Sequence, residues 1–232
     1  MANITELASN IWVVEGSEVT FLGATMGTRM TVVRLDNNTL WLHSPVQRSQ
    51  AVADFVTSLG GTVAVMVAPN KYHHLFMQEW RDVYPDAAVY ADSEARKKVP
   101  HLRDTYVLED QPPSTYAHDI DQVIFAGNRA FQEAVFFHKA SGTVIFTDLF
   151  INVEADHQPL LPKLFLQFEG VCAPDGGIPR LQRWFTFNKS FARAAAQKIL
   201  AWEPSTLMFA HGPAFAQPAM QVLRREFAYL SP

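Results

Sequence analysis

Residues 63–68, Val-Ala-Val-Met-Val-Ala, form an unbroken apolar run between Gly60-Gly61 and Pro69-Asn70. A run this short is the length of a strand, and its lack of polar alternation predicts a strand covered on both faces. Such strands belong to α/β layers, in which helices flank a sheet. The flanking sequence agrees. Ser49 stands before a helical pattern in which Val52, Phe55, Val56 and Leu59 share one face, and Gly60-Gly61 closes it. Residues 75–83 then read as a helix, 87–90 as a short strand and 94–98 as a further helix, a βαβ rhythm.

Hairpin patterns precede the apolar strand. Residues 11–14, 30–35 and 40–43 are short β-branched and aromatic runs, and Asp36-Asn37-Asn38 between the last two is a turn signal, so the chain is expected to start antiparallel. The second half repeats the device. Residues 120–126, 134–138 and 143–146 are strand-like, the last two meeting across Ala140-Ser141-Gly142, and helical patterns at 190–201 and 218–230 bracket a strand at 206–210. Two mixed sheets with helices outside both would bury all these faces. A chain of 232 residues suits a single core, so one α/β domain over residues 1–232 is expected.

One segment breaks the rhythm. Residues 152–187 carry Pro159, Pro162, Pro174 and Pro179 beside Leu160-Leu161 and Leu164-Phe165-Leu166. Long irregular excursions in compact domains are usually functional, so an inserted lid is expected, with a homodimer surface as the alternative.

Composition excludes several partners. A net charge of -4 leaves no basic field for a phosphate backbone, so no nucleic acid is expected. Cys172 is the sole cysteine, which rules out an intrachain disulfide. Residues 1–6 lack a basic stretch followed by an apolar run, and no apolar segment approaches a membrane span. The expectation is a cytoplasmic protein with no membrane partner.

Chemistry-bearing residues recur just past strands: His73 and His74 after 63–68, Asp148 after 143–146, and His211 after 206–210. Loops at the carboxyl ends of strands are where α/β layers aim functional groups. Three imidazoles and a carboxylate suit a divalent metal ion that accepts nitrogen and oxygen, zinc or iron foremost. Asp148 lies among Phe146, Leu149 and Phe150, where an unpaired carboxylate is costly and a cation would offset the cost. His211 is followed by Gly212, which permits close backbone approach.

The order of elements, with Leu42-His43-Ser44-Pro45, Ala68-Pro69-Asn70 leading to His73-His74, Thr147-Asp148-Leu149, and His211-Gly212, resembles the metallo-β-lactamase superfamily and, within it, the DUF4336 family. The resemblance implies a metallo-β-lactamase-like αββα sandwich with the site at one edge of the two sheets. In the superfamily the first loop reads His-x-His-x-Asp-His. Aligning its last two positions with His73 and His74 puts Pro69 and Lys71 where the first two histidines stand. Residues 128–133 also contain no histidine, so the resemblance implies that the first metal position is lost. The second, matched by His73, His74, Asp148 and His211, would remain and hold one ion. Lys71 is then expected to project where the first cation sits in relatives, the alternative being a solvated loop lysine. His43 and Asn70 are expected to support the ligands from behind.

The resemblance and the residues together imply a metal-dependent hydrolase acting on a small molecule of unidentified type. Asp148 or Glu133 would steer the proton, Lys71 would supply charge, and Arg180, Arg183 and Trp184 of the insertion would bind an anionic or aromatic substrate. The alternative is a metal-free, non-catalytic domain that keeps the fold as a binding or assembly module.

Overall fold

A computed structural model describes residues 3–128, 130–215 and 217–231. Arg129, within the histidine-free stretch, and Met1 and Ala2 of the amino-terminal segment lie outside the described residues. The chain divides into two compact units, residues 1–17 with 28–119 and residues 18–27 with 120–232.

The first unit is built on a seven-stranded sheet in sequence order: β1 (Ile4–Ala8), β2 (Ile11–Phe21), β3 (Ala24–Arg34), β4 (Thr39–His43), β5 (Thr62–Ala68), β6 (Ala88–Ala91) and β7 (Tyr106–Val107). The β3–β4 pair is antiparallel, and β4 through β7 run parallel. The predicted turn joins β3 to β4: Asn37 accepts from the Thr39 amide at 3.0 Å, and Asn38 adopts φ 60. Helices α1 (Gln50–Ser58), α2 (Met77–Val83) and α3 (Ser93–Lys98) connect the parallel strands. Ser49 caps α1 by accepting from the Val52 amide. The apolar run of β5 is buried as its composition predicts, and Met66 packs with Leu40, Leu42, Val56 and Trp80 in one core.

The second unit has a four-stranded sheet ordered β11-β10-β9-β8, from β8 (Ile120–Phe125), β9 (Glu133–His138), β10 (Thr143–Ile145) and β11 (Thr206–Met208). The β8–β9 and β9–β10 pairs are antiparallel, and β10–β11 is parallel. Between β10 and β11 run α4 (Leu160–Glu169), α5 (Arg180–Trp184) and α6 (Lys189–Ala201), and α7 (Ala219–Phe227) follows β11. Apolar faces of α6 and α7, including Ile199, Val222 and Phe227, pack with Val144, Phe146 and Phe150.

Three features differ from the sequence reading. The strands β2 and β3 run eleven residues each: the outer half of β2 is largely exposed and polar, and the outer half of β3 is half-buried, with Ala24 packed against Val153, Leu166 and Val171, partners that residue order does not show. Their joining tip belongs to the second unit, where the side chain of Gln158 bonds the Thr25 amide and carbonyl at 2.9 and 2.7 Å. The insertion is also partly helical. Pro162 lies in the first turn of α4, where no intrahelical N–H bond is lost, and Gly170 ends the helix at φ 71. Finally His138, whose place beside the turn of residues 140–142 reads as exposed, is buried, with its Nδ1 2.8 Å from the Ser141 hydroxyl.

Candidate metal centre

In the second unit the loop after β10 carries Asp148 and the loop after β11 carries His211. The parallel β10–β11 pairing brings the two loops side by side: the Phe146 amide donates to the Met208 carbonyl, and Asp148 Oδ1 lies 3.0 Å from His211 Nε2. Both residues are largely buried, with side-chain exposures of 14% and 5%.

The partner atoms fix what this pair can do. His211 Nδ1 is 2.8 Å from the Gly27 carbonyl, which can only accept, so Nδ1 carries a proton. In a neutral imidazole that leaves Nε2 as a lone pair facing a carboxylate oxygen, and two acceptors cannot bond each other. Something positive must stand between them, either a second ring proton or a cation. Donating the far ring N–H to a backbone carbonyl is the usual support of a metal-binding histidine. Ligand atoms at about 2.0–2.2 Å from one ion lie on the order of 3 Å apart, which the observed separation matches. The pair therefore fits a metal ion.

Its surroundings are tightly built. Glu133, the first residue of β9, is fully buried, and its carboxylate accepts from the amides of Thr147 (2.8 Å), Asp148 (2.7 Å) and Leu149 (3.1 Å). Burial, with the Asp148 charge adding to it, pushes the Glu133 carboxyl above the usual range, while the amides pull the other way. Glu133, expected to steer a proton, turns both oxygens to the backbone and braces the Asp148 loop. On the other side, Asn152 donates to the Pro213 carbonyl at 2.8 Å. Gly212 adopts φ 86, and a Cβ there would lie 1.8 Å from the Asn152 carbonyl oxygen, so glycine alone fits the turn after His211.

The insertion joins this loop through a residue that sequence reasoning passed over. Gln182 donates to the Asp148 carbonyl at 3.0 Å, and its own carbonyl accepts from Asn128. The predicted substrate-binding residues have other duties. Arg180 and Arg183 line a cavity of about 280 Å³ with Glu169, Arg225 and Glu226. Yet Arg180 donates to the Phe168 carbonyl at 2.7 Å, and Arg183 bonds the Ile178 carbonyl and the buried Glu226 carboxylate. These arginines hold the insertion's backbone. Trp184 is exposed and meets Phe168 edge-on.

In the first unit, Asn70 is fully buried and its Oδ1 accepts from the Tyr72 and His73 amides at 2.9 and 3.1 Å, an Asx turn that shapes the histidine loop. The adjacent imidazoles then part company. His73 Nδ1 is 2.6 Å from the Ser44 hydroxyl, whereas the His74 ring faces His101 with centroids 5.8 Å apart. Burial, and then His101, lowers the His74 pKa. His43 is buried and stacked on Trp41, and burial, helped by His73, brings its pKa down to about 3, so the ring is neutral near pH 7. Lys71 places its ammonium 4.9 Å from the Tyr72 ring centroid, a cation–π contact. Elsewhere in this unit His118 Nδ1 lies 3.1 Å from Asp36 and 3.9 Å from Asp119, an exposed surface grouping.

The architecture is that of the metallo-β-lactamases. A metallo-β-lactamase from Pontibacter korlensis is similar over 99% of both chains, with a TM-score of 0.65 at 12% identity. TMB-1 matches with a TM-score of 0.67 at 10% identity, covering 99% of this chain and 96% of its own. The FIM-1 enzyme of Pseudomonas aeruginosa, solved in a mono-zinc form, matches with a TM-score of 0.63 at 14% identity over 99% and 92%. The expected fold class, two mixed sheets with flanking helices, is thereby found. Within that class the family model described as Domain of unknown function (DUF4336) matches residues 8–169, and the chain belongs to that family. No curated protein sequence matches it significantly.

Proposed function

We propose that this protein is a metal-dependent hydrolase that works with one divalent ion, zinc or iron foremost. The observation that carries the reading is the Asp148–His211 pair, in which Nδ1 bonds the Gly27 carbonyl and Nε2 stands 3.0 Å from a carboxylate oxygen. Asp148 and His211 are the ligands on which the proposal rests. His73 and His74 enter it as further imidazole ligands on the spacing of their motif, with Ser44 and Asn70 orienting the first of them. A bound ion would lower the pKa of a coordinated water toward neutrality and polarise the scissile group.

The chain's own groups supply the rest. His211, tied through Nδ1, presents Nε2 in one direction, and Glu133 fixes the Asp148 backbone so that its carboxylate stays beside that nitrogen. Asp148, whose Oδ1 lies 3.0 Å from His211 Nε2, is the group proposed to accept and return a proton. Lys71 enters the proposal only as a positive charge of the histidine loop, its ammonium stacked on Tyr72.

The test is a hydrolysis screen over generic ester, lactam and phosphodiester substrates, with apo protein and protein loaded with zinc or ferrous iron. Turnover is expected in the loaded protein, lost with chelator and lost in Asp148→Asn. Activity that ignores chelator and survives Asp148→Asn contradicts the reading.

A further inference from the structure

The second unit carries an apolar surface that its own fold does not cover. Leu160, Leu161 and Leu164 of α4 are 71%, 78% and 51% exposed, and Trp184, Phe187 and Phe191 are 62%, 63% and 63% exposed. The two groups are joined by Phe168, whose ring meets Trp184 edge-to-face at 5.7 Å, and by the Arg180 bond to the Phe168 carbonyl. Phe187 meets Phe185, the sequence neighbour of Trp184, with ring centroids 6.1 Å apart, and Phe191 follows in the first turn of α6. Scattered exposed hydrophobes are ordinary, whereas a connected set of this size marks an interface.

We infer that this face is the contact between two copies of the chain, made through the same patch on each. Area is the first argument. At roughly 150–250 Å² for a large side chain, six residues about three-fifths exposed offer on the order of 700 Å² before any rim is counted. A standard stable interface takes about 800 Å² from each partner. Composition is the second: aromatic and leucine side chains dominate the exposed set, as in the core of homodimer interfaces.

Charge decides against an anionic bilayer as occupant. Membrane surfaces are recognised through basic residues around an apolar face. Here Lys163 pairs with Asp156 at 2.9 Å, Arg183 with Glu226, and Arg180, Lys189 and Arg193 each donate to a backbone carbonyl of the same unit. The chain as a whole is negative. A second copy needs no basic rim, and a patch meeting itself about a two-fold axis closes the assembly at a dimer.

Sedimentation equilibrium of the full chain at about 1–50 µM, which populates a dimer of micromolar dissociation constant, tests this directly. The wild type is expected at twice 26.1 kDa, and Leu161→Glu/Leu164→Glu at 26.1 kDa with an unchanged circular dichroism spectrum and melting temperature. A wild-type monomer across that range, or a dimer that survives both glutamates, overturns the inference. Should the double variant fail to fold, Trp184→Glu/Phe191→Glu serves in its place under the same criteria. Flotation of the wild type with vesicles of phosphatidylcholine and phosphatidylserine, lost in Leu161→Glu/Leu164→Glu, would also overturn it, by assigning the face to lipid.

Discussion

Each unit places a histidine beside an oxygen, but the two places are held by different means. At Asp148–His211 the pair is clamped from every side: three amides converge on buried Glu133, both ring nitrogens of His211 have partners, and Gly212 leaves no room for a side chain. In the histidine loop an Asx turn from Asn70 shapes the backbone, with the Ser44 hydroxyl at His73 Nδ1 and the His101 ring against His74. The first place is organised before any ligand arrives, and the second owes its form to local turn chemistry. Rigid scaffolds are what functional constellations need, because the reorganisation cost is then met by folding rather than at binding.

The comparison can be broken at its strongest point. Gly212→Ala forces a side chain into the Asn152 carbonyl at a positive φ, and is expected to cost about 3 kcal/mol or more of unfolding free energy. Urea denaturation measures it, and a loss below about 1 kcal/mol would show that the His211 turn yields easily. Next in size, Glu133→Gln keeps the shape but replaces an accepting oxygen with a donor that opposes a backbone amide, for an expected loss of about 2 kcal/mol. The matching change in the first unit, Ser44→Ala, removes a single contact to His73 and is expected to cost about 0.5–1 kcal/mol. If Ser44→Ala proved as damaging as Glu133→Gln in the same titration, the asymmetry between the two places would be wrong.

Much of this was legible from residue order. The parallel strands announce themselves as apolar runs closed by glycine or proline, and Asp148 and His211 stand where such strands end. That placement alone pointed to them. What could not be read was the direction of side chains whose partners are backbone atoms. Glu133 looks like any carboxylate beside a metal motif, and only the fold shows three amides converging on it. Arg180 and Arg183 look like anion binders for the same reason, since nothing in the sequence marks the Phe168 and Ile178 carbonyls as their partners. His73 and His74 are adjacent in sequence, but the Asx turn sends their rings to different neighbours. The helix α4 was hidden by Pro159 and Pro162, residues that break a helix in its interior and are tolerated at its first turn.

The account stands on a cation being held between His211 Nε2 and Asp148, and metal content measures it most directly. Protein loaded with excess zinc, or with ferrous iron under anaerobic conditions, and then desalted should retain one equivalent by mass spectrometry. His211→Ala, with its fold intact by circular dichroism, should retain none. A wild type that keeps no metal under either loading, or a His211→Ala protein that keeps the same equivalent, would contradict it.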